Sequence, residues 1–118
     1  MKPACAIAHI GPLRVHSVDR SAAFYTRLGM RRVMANPGMA ILELRGGTHL
    51  ILRRGAVTPG RAPFDLMFDD VDEVREQLID GGADVGVVRH GGVHRSFEVV
   101  DPDGHRVSIT SSHATGPV

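Results

Sequence analysis

Apolar residues fall along the chain in short runs cut by glycine, proline and aspartate, and twice they switch from strand-like to helical spacing. Leu13-Arg14-Val15 reads as a short strand, and a polar turn ending in Val18-Asp19 follows it. Ala22, Ala23, Tyr25 and Leu28 then recur near the spacing of one helix face, which Gly29 ends. Residues 66–83 repeat residues 13–30 at a constant offset of 53, without a gap. There Leu66-Met67-Phe68 is the strand, Val71-Asp72 closes the turn, Val74, Leu78 and Ile79 mark the helix, and Gly81-Gly82 ends it. In both copies the aspartate of the Val-Asp pair is the expected helix cap.

Each helix is followed by three more strand-like runs. Turn residues separate them, Asn36-Pro37-Gly38 and Gly46-Gly47 in the first half, Gly91-Gly92 and Asp101-Pro102-Asp103-Gly104 in the second. The last runs also superpose, residues 47–52 on residues 104–109, at an offset of 57. The pattern is βαβββ twice, an α+β fold with modules over approximately residues 5–57 and 63–112 of one domain, 1–118. Residues 58–63 (Thr58, Pro59, Gly60, Arg61, Ala62, Pro63) are expected to link the modules, because two prolines and a glycine suit a crossing better than an element interior. The small polar tail from Ser111 onward is expected to fray.

A composition of 42% hydrophobic and 23% charged residues over 118 positions suits one globular unit that needs neither disulfide nor metal to fold. Its 14 basic and 13 acidic residues are interspersed, which argues against nucleic acid as a partner. No stretch approaches the ~18 apolar residues of a membrane span, and no long apolar segment precedes the first strand, so a cytoplasmic protein is expected. Cys5 is the single cysteine and has no partner for a disulfide.

Several segments resemble the vicinal oxygen chelate superfamily of glyoxalases, bleomycin-resistance proteins and dioxygenases. They are His9-Ile10-Gly11, then Val18-Asp19-Arg20-Ser21-Ala22-Ala23-Phe24-Tyr25-Thr26-Arg27-Leu28-Gly29-Met30, then Phe68-Asp69-Asp70-Val71-Asp72, and finally Asp101-Pro102-Asp103-Gly104-His105. The resemblance spans nearly the whole chain. It implies that two βαβββ modules curl into an open barrel with a central ligand cavity, formed within one chain or across a homodimer. It also implies a divalent metal in the enzymatic relatives, held by His, Glu or Gln from the first and last strands of the modules. Counted along the motifs, those positions fall on Pro63 and Ser108, with Ile10 and Ile51 as the repeat-related pair. None is an expected ligand. Pro12 adds one residue between His-Ile-Gly and the strand, so a bulge there would put His9 in the ligand position instead.

No metal and no cofactor are therefore expected, with a divalent metal as the alternative. His16, His90, His94, His105 and His113 are expected in solvent, and the Gly91-Gly92 pair denies His90 and His94 a helical metal-binding geometry. Strand alternation carries the register from the implied ligand positions to their neighbours. His49 and Arg53 are then expected to face with Ile51, Asp65 and Met67 with Pro63, and Arg106 with Ser108, while Arg14 joins from the first strand. With His9 these make a mixed, partly cationic pocket suited to an anionic or carbonyl-bearing small molecule. Glu43, His49 and Asp65 are the only candidate general bases near it, and no nucleophile elbow or phosphate loop is present, so no catalytic residue is assigned. One Tyr, four Phe and no Trp weaken the case for gripping a flat drug by stacking. The expected function is metal-independent binding of a small molecule by a homodimer. The alternatives are a metal-dependent lyase, isomerase or dioxygenase with a rearranged site, and a metal-free enzyme on the same scaffold.

Overall fold

The computed structural model describes residues 9–112. Cys5, His113 and the tail beyond Ser112 lie outside them. The chain divides between Pro59 and Gly60 into two compact units, each a βαβββ module. No helix among the described residues is long and apolar enough to cross a membrane.

In the first module β1 (His9–Val15) leads into α1 (Val18–Arg27), followed by β2 (Arg31–Ala35), β3 (Met39–Glu43) and β4 (His49–Arg54). The sheet order is β1-β4-β3-β2, with β1 parallel to β4 and the other neighbours antiparallel. Alternation sorts the side chains. Leu13, Val15, Ala40, Leu42, Leu50 and Leu52 are buried, and α1, packed on β2, β3 and β4, buries Val18, Ala22 and Tyr25. Tyr25 is wholly buried, with Phe24 edge-on to it at a centroid distance of 5.0 Å.

The second module runs β5 (Arg61–Phe68), α2 (Val71–Asp80), β6 (Arg89–His90), β7 (Arg95–Val100) and β8 (Arg106–Ser111), in the equivalent order β5-β8-β7-β6. Ala62, Phe64, Leu66, Phe97, Val99, Val107 and Ile109 are buried, and α2 packs on β7 and β8. Both sheets are open, as four strands in each with distinct edge strands require.

The repeat seen in the sequence holds in three dimensions. The helices span equivalent residues at the offset of 53, and β4 and β8 do so at 57. Gly29 and Gly82, at equivalent positions just past the two helices, both take positive φ (99° and 82°). The turn before the last strand also recurs: the Leu44 amide donates to Thr48 O and the Gly47 amide to Leu44 O, as Asp101 does to His105 O and Gly104 to Asp101 O.

Five expectations need correction. His105, expected in solvent, is buried in the turn before β8, and Ser111, expected to fray, closes β8, where it pairs with Phe68 and its Oγ accepts from the Arg95 amide at 2.9 Å. The helix caps are Ser17 and Asp70, extended residues whose side-chain oxygens accept from the Arg20 and Glu73 amides at 3.3 and 3.0 Å. Asp19 and Asp72 sit one step inside the first turn instead, where a carboxylate complements the helix dipole. The expected linker ends early, because β5 begins at Arg61. Pro63 is tolerated inside the strand since it points outward between buried Ala62 and Phe64, where the pairing with β8 is irregular. Finally, Ile79 is 45% exposed rather than core, and Val71 is the one buried residue of α2.

Candidate functional site

Residues that alternate with the buried set face away from α1 and form three transverse rows on the first sheet. One row crosses all four strands: Arg31 on β2 is paired with Glu43 on β3, Glu43 with His49 on β4, and His49 with His9 on β1. The middle row is apolar, with Ile41 opposite Ile51. The third pairs Met39 with Arg53 and Arg53 with Arg14.

His9 reaches its row through a local irregularity. Between Ile10 and Leu13 the register of β1 against β4 shifts, leaving Gly11 and Pro12 opposite Ile51 alone, and the Gly11-Pro12 peptide is cis. Gly11 is required here: φ is 99°, and a Cβ would stand 2.7 Å from the Ile51 carbonyl oxygen. Above the rows lies a cleft of about 540 Å³. His9, His49, Ile51 and Arg53 line it from among the expected candidates, and Gly11, Pro12, Met39 and Gly47 complete it. Arg14 is on the same face but does not line the cleft; it lies against Gly55, where an added Cβ would come within 3.2 Å of its Cδ.

The first row is an ionic relay. Glu43 Oε1 lies 3.2 Å from His49 Nε2, and its Oε2 accepts from Arg31 Nη2. The hydrogen bond from His49, then that from Arg31, hold the Glu43 carboxyl below the usual range. An ionised carboxylate only accepts, so Nε2 is the donor in this contact, and in the neutral tautomer that makes it Nδ1 is the acceptor.

Asp65, Met67, Arg106 and Ser108 lie on the open face of the second sheet. Ser108 is paired with Asp65 on one side and Glu98 on the other, Met67 with Thr110, and Arg106 with Arg61. Arg106 Nε is 3.9 Å from Glu98 Oε2. The nine expected residues thus fall into two groups, one on each module's own sheet.

The implied metal positions do not fit a divalent ion. Ile51 and Pro63 offer no donor and Ser108 only a hydroxyl, whereas such ions take several charged or imidazole donors. Among the described residues, the set of three metal-type side chains with donors within 4.8 Å of one another is Asp101, Asp103 and His105, and it does not include His9, His49 or Glu43. That set belongs to the turn before β8, where Asp101 Oδ1 accepts from the amides of Asp103 and His105, each at 2.9 Å.

Residues 6–109 match the family described as the Glyoxalase/Bleomycin resistance protein/Dioxygenase superfamily. No curated protein matches the chain. Similar solved structures include a lactoylglutathione lyase from Agrobacterium tumefaciens, 23% identical with a TM-score of 0.77 over 94% of this chain and 96% of that one. TnmS3, an antibiotic binding protein from Streptomyces sp. CB03234, is 22% identical with a TM-score of 0.78 over 91% and 95%. A bleomycin-binding protein complexed with bleomycin is 23% identical with a TM-score of 0.68 over 92% and 98%. At these identities the likeness establishes the fold.

Proposed function

The chain belongs to the Glyoxalase/Bleomycin resistance protein/Dioxygenase superfamily, and on that premise we propose that it is a metal-independent small-molecule-binding member, taking its ligand in the cleft on the open face of the first module. The observation that carries this reading is Ile51. It occupies an implied ligand position, yet it forms part of the lining of a cleft of about 540 Å³, a volume in the range of small-molecule sites. Capture of a small molecule is also what the names of the antibiotic-binding and bleomycin-binding structures describe for those proteins. The lining here has no aromatic ring apart from the imidazoles of His9 and His49; Pro12, Met39 and Ile51 supply apolar surface and Arg53 a cation. Such a site favours a compact anionic or carbonyl-bearing molecule over a flat stacked drug. We take the protein to be a cytoplasmic homodimer with both modules in one domain, which light scattering on the purified protein checks for the dimer.

Metal analysis and thermal melting test the central point. Protein purified without added metal should hold no stoichiometric zinc, manganese, nickel or iron, and its melting temperature should not respond to these ions. Stoichiometric metal, with a metal-dependent rise in melting temperature that His9→Ala abolishes, would instead establish the metal-dependent lyase, isomerase or dioxygenase reading.

A further inference from the structure

The two ends of the cleft differ in kind. At one end Arg53 is a cation without a carboxylate: among the described residues its guanidinium makes one polar contact, Nη2 to Met39 Sδ at 3.7 Å, and a thioether is a weak acceptor. Arg31, by contrast, is matched by Glu43. At the other end His49 is held by Glu43 through Nε2, while Nδ1 makes no hydrogen bond among the described residues. Between the ends lies Ile51, facing Ile41. His49 and Arg53 are four residues apart on one strand, hence about 13 Å between Cα atoms; for side chains standing parallel off the sheet, a hydrogen bond of about 2.8 Å at each end leaves roughly 7–8 Å between the ligand's own polar groups.

We propose that the cleft selects a small molecule with an anionic group, taken by Arg53, and a hydroxyl, donated to His49 Nδ1, at the two ends of a short apolar body lying over Ile51. Glu43 is the positioning residue, since it fixes which nitrogen of His49 faces the ligand as an acceptor, and Arg31 fixes Glu43. The inference rests on the metal-independent reading above and names the ligand class of that same cleft.

The probe is 4-hydroxyphenylacetate, whose rigid ring sets the spacing, compared with phenylacetate, which lacks the hydroxyl, and 4-hydroxyphenylacetamide, which lacks the charge. Calorimetric titration of the full chain, with a chelator present, should give about tenfold tighter binding of the first than of either other. Arg53→Gln should erase the preference for the acetate over the acetamide and leave the hydroxyl preference. His49→Phe should do the reverse, with His49→Leu as the second variant if the first does not fold. Glu43→Ala should narrow the hydroxyl preference specifically, whereas a merely structural role would lower all three affinities alike. Arg54→Gln, which removes a charge from the neighbouring position outside the cleft, should change nothing. Equal binding of the three probes, or saturable binding of none, overturns the assignment while leaving metal-independent binding to stand on the metal analysis. Saturable binding in a parallel titration without the chelator that is lost when the chelator is present overturns both.

Discussion

The two modules carry the same elements at the same intervals, and they differ by face. On the helix-facing side, Leu13, Leu50 and Leu52 correspond to Leu66, Val107 and Ile109, buried and aliphatic in both copies. On the open side, the correspondence of chemistry fails at every position of the last hairpin. His49, Ile51 and Arg53 stand where the second module has Arg106, Ser108 and Thr110, and Ile41 and Glu43 stand where it has Glu98 and Val100. The middle row is apolar in the first sheet, with Ile41 and Ile51, and polar in the second, with Glu98, Ser108 and Asp65. Burial dictates one face regardless of what the module does. The other face is under no such constraint, and there the two copies have diverged in chemistry.

The largest test of this comparison lies in the helices. Tyr25 and Leu78 occupy equivalent positions at the offset of 53, but Tyr25 is wholly buried and Leu78 only half-buried. Tyr25→Ala should cost about 3–5 kcal/mol, and Leu78→Ala nearer the low end of core truncations, about 1–2 kcal/mol, in denaturant unfolding. Similar losses at both positions would mean that α2 is docked as firmly as α1, against its single buried residue.

A smaller difference is expected in the turns before the last strands. Their backbone hydrogen bonds are equivalent, and where the first has Leu44 the second has Asp101, a buried side chain that accepts from two amides. Asp101→Ala should therefore cost about 1–3 kcal/mol by leaving those amides without an acceptor. The turn itself should persist, because residues 44–48 make the same backbone bonds with leucine in that place. A loss within the scatter of surface substitutions, about 0.5 kcal/mol, would show that the aspartate adds nothing to the backbone bonds.

Much of this was legible in the chain. Alternation alone assigns His49, Ile51 and Arg53 to one face, because strand periodicity is a local property. The ungapped repeat fixes both helices for the same reason. Ser17 and Asp70 were missed as caps because each lies two residues from an aspartate of equal capping propensity, and residue type does not say which one is extended. Met39, Gly11 and Pro12 enter the cleft through the pairing of β3 with β4 and the irregularity in β1, which are relations between strands. The relay from Arg31 through Glu43 to His49 is likewise a row across three strands. Its members are too far apart in sequence for any local pattern to join them.

That row supplies the smallest expected effect. The Glu43 carboxyl is depressed first by the hydrogen bond from His49 and then by Arg31, and in the second module the Asp72 carboxyl is depressed by Arg95, whose Nη2 lies 2.6 Å from its Oδ1. A carboxyl whose folded value is depressed contributes stability that is present above its unfolded value and lost as pH falls through the folded one. Both contributions should thus be full at neutral pH and disappear on the acid side of the ordinary carboxylate range. Because both pairs are open to solvent, the effect should be slight and should shrink with added salt. Carbon-detected NMR should find Glu43 and Asp72 among the last carboxyls to take up a proton as pH falls. Glu43→Gln and Asp72→Asn should each melt slightly below the wild type at neutral pH and level with it in acid. A Glu43 that titrates like an ordinary exposed glutamate would break the comparison where it matters most. The first module would then have no anchored imidazole facing its cleft, and its open face would be chemically plainer than that of the second.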